Sequence, residues 1–170
     1  MKAAGRQPES VEAWVVRGGY PRLYDIDMAP AEYYSNYIQT YIDRDVRSEL
    51  GVVKIPEFNR FVMLCATRIG NLVNIQSLAA DCGINMRTAK DWLALLEQSF
   101  IIRLLRPYHH NYGKRLIKTP KLYFEDTGLA CSLLGIDTAE DLIMSSYRGA
   151  LFENAVVCEF TKEALSQGKV

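Results

Sequence analysis

No stretch of this 170-residue chain approaches the roughly 18 to 20 uninterrupted apolar residues that a membrane helix requires. The opening MKAAGRQPESVEAW lacks the apolar core of a secretory signal. These two absences lead us to expect an intracellular, cytoplasmic protein with no membrane partner. Metal chemistry is equally poorly provided for. Cys65, Cys82, Cys131 and Cys158 are widely and irregularly spaced, with no CxxC pair and no neighbouring histidine. His109 and His110 are adjacent, so on a strand they would point to opposite faces and could not chelate one ion. We therefore expect free buried thiols, loop histidines and no metal site.

A net charge is also missing, but the zero hides a partition. Residues 1–56 carry 7 basic and 8 acidic side chains, residues 57–125 carry 10 and 5, and residues 126–170 carry 3 and 7. The segments thus stand at −1, +5 and −4. A basic middle between neutral and acidic flanks points to an anionic partner for that middle. The hydrophobic share of 49% is enough for a packed core, as one domain or as a small core domain with appended pieces.

Along the chain, Trp14-Val15-Val16 leads into Arg17-Gly18-Gly19-Tyr20-Pro21. Paired glycines before a Tyr-Pro step imply a sharp, fixed bend. From Pro30 to about Leu50, Tyr33, Tyr34, Tyr37, Ile38, Tyr41, Ile42 and Val46 recur at three- and four-residue steps, which predicts an amphipathic helix with a tyrosine packing face. A second helix is expected over 57–73, with Phe58, Phe61, Val62 and Cys65 among its apolar positions.

The next stretch carries the most information. Asn74 can cap a short helix, IQSLAADC, that Gly83 ends as a left-handed residue, and Asn85 can cap the longer MRTAKDWLALLEQSF. A short helix, a tight Gly83-Ile84-Asn85 turn and a longer helix form the grammar of a helix-turn-helix. Ala89, Leu93, Leu96 and Phe100 are expected to face the core, leaving Arg87, Thr88, Lys90, Asp91 and Ala94 for solvent or a groove. Two β-type runs follow, 101–107 and 114–124, joined by the turn-like YHHNYG. Their basic residues are Arg103, Arg106, Lys114, Arg115, Lys118 and Lys121, which makes the expected wing cationic. Beyond it, 129–134 and a longer stretch within 147–166 read as helices, and the chain ends in a way that suggests a domain cut short.

With these blocks placed, the chain resembles the domain of unknown function 4143, the C-terminal region of bacterial and archaeal P-loop ATPases of the AAA type. The resemblance is carried by Gly18-Gly19-Tyr20-Pro21, YIQTYIDRDV, LALLEQSFIIRLLRPY, NYGKRLIKTPKLYFEDTGLA and GALFENAVVCEF. It implies that the nucleotide site lies upstream, with ATP and Mg in the full-length protein and no cofactor here, since no G-x-x-x-x-G-K-[ST] occurs. It also implies that the tail begins a restriction-endonuclease-like fold, with Glu153 as a vestigial first-helix acid whose metal-binding companions would come later.

The expected fold is therefore mainly α with a small β-wing. An N-terminal bend and tyrosine helix (1–56) link to an ATPase domain, a winged helix-turn-helix core follows (57–124), and an incomplete restriction-endonuclease-like α/β domain begins at 125–170. No self-sufficient catalytic site is expected. One functional reading is binding to double-stranded DNA, with Arg87, Thr88 and Lys90 in a major groove and Lys114, Arg115 and Lys118 on phosphates. Asp91 and Glu97 count against it. A second is a regulatory module docking on the upstream ATPase domain through Tyr20, with Arg44 reaching a nucleotide or a neighbouring subunit, or merely pairing with Asp43 or Asp45. A third is a nuclease using Glu125, Asp126 and Glu153, although Asp126 could equally cap the helix after it. A homo-oligomer is a further expected partner.

Overall fold

The computed structural model describes residues 9–41, 46, 54–108 and 118–168. The described chain is mainly helical with one small antiparallel sheet. Helices α1 (Val11–Arg17), α2 (Arg22–Asp25) and α3 (Pro30–Tyr41) come first, then α4 (Ile55–Ala66), α5 (Ile75–Cys82) and α6 (Met86–Gln98). Strands β1 (Ile102–Leu105) and β2 (Lys121–Phe124) follow, and α7 (Thr127–Leu133), α8 (Ala139–Met144) and α9 (Arg148–Ser166) complete the order.

Caps fix the helix borders. Asn74 accepts from Ser77 N at 2.9 Å and Asn85 from Thr88 N at 2.8 Å, satisfying N–H groups that have no partner inside a first turn. Gly83 sits at φ 74°, ψ 31° and closes α5, with Ile84 N donating to Ala79 O at 3.0 Å and Gly83 N to Ala80 O at 3.2 Å. This paired 6→1 and 5→2 pattern is a Schellman cap, which needs a left-handed residue at that point. Helix α6 ends the same way. Ile101 N reaches Leu96 O at 2.9 Å and Phe100 N reaches Glu97 O at 3.2 Å, but the left-handed residue is Phe100, at φ 55°. Phe100 is consequently turned out, 72% exposed, and not in the core as its helical spacing predicts. Trp92 fills the interior instead, its ring edge-on to Phe58 and Phe61 at 5.2 and 5.4 Å.

Helix α4 is shorter than expected because the chain turns at Gly70 (φ 74°) and runs on along β2. Gly70 N donates to Leu122 O at 2.8 Å, Leu122 N to Asn71 O at 3.0 Å and Val73 N to Pro120 O at 2.9 Å. Strand β2 is thus bonded on this side by residues 70–73 and on the other by β1, in the register Ile102↔Phe124 to Leu105↔Lys121. The far end of β2 is held by Asn154 of α9. Its Oδ1 accepts from Phe124 N at 2.7 Å and its Nδ2 donates to Phe124 O at 3.0 Å, so a buried side-chain amide completes the backbone pairing of a strand.

Helix α7 is the hub, in contact with α1, α3, α4, α9 and β2. Asp126 caps it, Oδ1 accepting from Leu129 N at 3.0 Å, while Oδ2 accepts from Gly19 N at 2.6 Å. The Tyr34 hydroxyl donates to Oδ1 at 2.6 Å and lies 3.0 Å from Arg17 O. The predicted bend is therefore real, and it is clamped: a Cβ on Gly18 would collide with the Tyr34 hydroxyl and with Asp126. The tyrosine face predicted on α3 packs inward, with Tyr20 set among Tyr33, Tyr34 and Tyr37 at centroid distances of 5.0 to 5.9 Å.

Candidate nucleic-acid interface

Helix α6 buries Ala89, Trp92, Leu93 and Leu96, so 3.6 residues per turn leaves Arg87, Lys90, Asp91 and Ala94 on its outer side. Arg87 and Lys90 are exposed; Thr88, half-buried, gives its N–H to the Asn85 cap. Between this helix, residues 72–75 and the base of the two strands lies a cleft of about 940 Å³. Lys90 from α6, Arg106 from beyond β1 and Lys118 from ahead of β2 all line it.

The cations here divide into two groups. Arg103 pairs with Glu125 at 2.8 Å, and Lys121 pairs with Glu153 at 2.8 Å. Arg87, Lys90, Arg106 and Lys118, by contrast, form no salt bridge among the described residues. Glu97, whose charge counts against an anionic partner, accepts from Leu104 N at 3.3 Å and so ties α6 to β1. Arg68 anchors α4 to α5 through Ser77 and Asp81. Lys114, Arg115 and Arg44 lie outside the described residues, as do both histidines.

Glu153 is engaged with strand β2, not poised for metal. It accepts from Lys121 and from the Tyr123 hydroxyl, and these two donors hold its carboxyl below the usual glutamate range. Glu125 is occupied by Arg103, and Asp126 is the helix cap that the sequence allowed. No group of three or more His, Cys, Asp or Glu among the described residues could hold a metal ion. All four cysteines are buried, and burial pushes the thiols of Cys65, Cys131 and Cys158 up to about 12, leaving them protonated and unreactive. No helix among the described residues is long and apolar enough to cross a membrane.

The family model described as "Domain of unknown function (DUF8612)" matches residues 8–140, the stretch from α1 to the start of α8. The chain belongs to this family. Two curated relatives agree along most of the same length: uncharacterized protein Rv2008c of Mycobacterium tuberculosis and uncharacterized protein Mb2031c of Mycobacterium bovis. Each is 34% identical over 146 residues, which is 84% of this chain and 33% of the relative. The chain therefore spans about a third of the length of the curated relatives it matches. No solved structure matches it.

This finding corrects the resemblance drawn from the sequence, because the matching family is DUF8612 and not the domain of unknown function 4143. With the resemblance go the supports for a nucleotide site upstream, for ATP and Mg, and for reading Glu153 as the acid of a nuclease-like domain. Within the DUF8612 match the cationic cleft is complete, while Asn154 and Glu153, which brace β2, lie beyond it. Asn154 was missed because a lone asparagine in an amphipathic helix carries no signal until the strand edge it pairs with is known.

Proposed function

We propose that this DUF8612 chain is a winged helix-turn-helix module that binds double-stranded DNA and works by binding alone. The observation that carries the reading is the convergence of Lys90, Arg106 and Lys118, none of them in a salt bridge among the described residues, on one cleft beside the exposed side of α6. The order of elements supports it: helix α4, an extended stretch at 70–73, helices α5 and α6 around a tight turn, then two antiparallel strands. That is the order in which a second helix is offered to a groove and a hairpin flanks it.

In this reading Arg87 and Thr88, at the start of α6, meet base edges in the major groove. Lys90, Arg106 and Lys118 meet phosphates, joined by Lys114 and Arg115 of the connecting segment. Arg103 and Lys121 are excluded from that role because their charges are already neutralised within the fold.

The test is a titration of the full chain against fluorescent duplex DNA from low to physiological salt. Binding at low salt that weakens steeply as salt rises supports the proposal, since released counterions drive phosphate contacts. Absence of binding at low salt overturns it.

A further inference from the structure

The core takes Ala89, Trp92, Leu93 and Leu96 of α6, and a helical projection centres the opposite side on Arg87. At about 100° per residue, Ala94 stands about 20° and Lys90 about 60° from Arg87 on one side, and Asp91 about 40° on the other. All four are exposed. Lys90 and Ala94 line the cleft with Arg106 and Lys118, whereas Asp91 does not. Asp91 therefore lies on the flank turned away from the cations that meet phosphates. Arg87 and Asp91 are one turn apart, yet they form no salt bridge with each other or with any described residue. A cation placed N-terminal to its acid is the weaker orientation for such a pair. Arg87 also sits in a first turn that holds no acidic residue, so its charge opposes the helix dipole. Neither charge is used by the fold itself.

Resting on the proposal that this face binds DNA, we infer that Asp91 is a specificity residue that reads cytosine, in a base pair neighbouring the guanine that Arg87 reads. A carboxylate only accepts hydrogen bonds. In the major groove it is repelled by O6 and N7 of guanine and by O4 of thymine, and it finds donors only at cytosine N4 and adenine N6. Adenine sets the N7 acceptor beside its amino group, whereas cytosine carries no acceptor of its own on that edge, so cytosine is favoured. Arg87 presents a planar fork of donors that matches O6 and N7 of guanine. The step from Arg87 to Asp91 is about 6 Å along the helix axis, less than twice the base-pair rise of about 3.4 Å. Ala94, exposed between Arg87 and the cleft, carries no long side chain to hold the helix off the bases. The charge of Asp91, which opposes binding to DNA at large, becomes in this arrangement a penalty on wrong sequences.

The experiment selects bound duplexes from a random-sequence DNA library with the full chain, sequences them, and repeats the selection with Asp91→Ala, Asp91→Asn and Arg87→Ala, circular dichroism verifying folding. The wild type is expected to enrich a motif with a guanine and a cytosine in neighbouring pairs. Changing that cytosine to thymine puts an acceptor against Asp91 and should weaken wild-type binding by about tenfold or more. Asp91→Ala should lose the preference at the cytosine alone, and its slope of log affinity against log salt should match the wild type's, because Asp91 meets no phosphate. Asp91→Asn should move the preference from cytosine to adenine, whose N6 and N7 an amide pairs with, a switch that a merely structural role would not produce. Arg87→Ala should lose the guanine instead. Salt-dependent binding that enriches no sequence overturns the inference and leaves DNA binding standing. So does an Asp91→Ala motif identical to the wild type's, or a cytosine that thymine replaces without loss. Absence of binding to any duplex at low salt overturns both the inference and the DNA-binding proposal.

Discussion

The Tyr34 hydroxyl lies 2.6 Å from the Asp126 carboxylate, joining residues 92 positions apart in the chain. Around that contact the Gly18-Gly19 bend, the start of α7 and the tyrosine face of α3 are fixed together. Asp126 accepts three hydrogen bonds while almost wholly buried, so Asp126→Ala orphans several polar groups at once. The expected loss is about 3 kcal/mol or more in urea unfolding. Asp126→Asn keeps one acceptor oxygen but turns a donor toward Gly19 N or Tyr34, and it should fall between the wild type and the alanine variant.

Alkaline pH should unfold the protein through the same cluster. Burial and the Asp126 charge raise the Tyr34 pKa above its ordinary 10.0, and burial together with the Tyr37 hydrogen bond raises that of Tyr20. A folded-state pKa above the unfolded one gives stability that is intact below pH 10 and is lost as pH rises beyond it. Thermal midpoints measured from about pH 8 to about pH 11.5 should fall only past about pH 10, and less steeply in Tyr34→Phe. A midpoint that begins to fall near pH 8 would contradict this origin.

The two left-handed caps offer a paired test. Phe100 at φ 55° carries a Cβ where glycine is at ease, and its ring gains no burial in return. Phe100→Gly should stabilise the chain by about 1 kcal/mol, and Gly83→Ala should destabilise it by a similar amount. Both are read from denaturant midpoints at constant slope.

The short-range grammar of the chain was legible. Asn74, Gly83 and Asn85 act by local hydrogen bonds, so their pattern placed both borders of α5 and the start of α6, and Asp126 was already recognisable as a cap. Long-range pairing was not legible. Helical spacing put Phe100 inside, whereas a left-handed cap turns it out and Trp92 takes the interior. Of the wing's basic residues, composition could not tell Arg103 and Lys121, neutralised by Glu125 and Glu153, from Arg106 and Lys118, which line the cleft. The family, too, was misread: the model that matches is DUF8612.

Asn154 carries its own prediction. Asn154→Ala removes the side-chain partner of Phe124 N and one of the two side-chain donors to Phe124 O, the other being the Cys158 thiol, and opens a small cavity beside Cys158. A loss of about 2 to 4 kcal/mol is expected in urea unfolding. Amide exchange should show β2 losing protection before α5 and α6, because only the strand depends on this brace.

The central claim, that the cleft beside α6 holds nucleic-acid phosphates, is tested most directly by the salt dependence of DNA binding in Arg106→Ala/Lys118→Ala. Each phosphate that a cation neutralises adds about 0.9 to the slope of log affinity against log salt, so the double variant should have a slope shallower by about two. Replacing the already paired Arg103 and Lys121 should leave the slope unchanged. A slope unaltered by removing Arg106 and Lys118 would contradict the account.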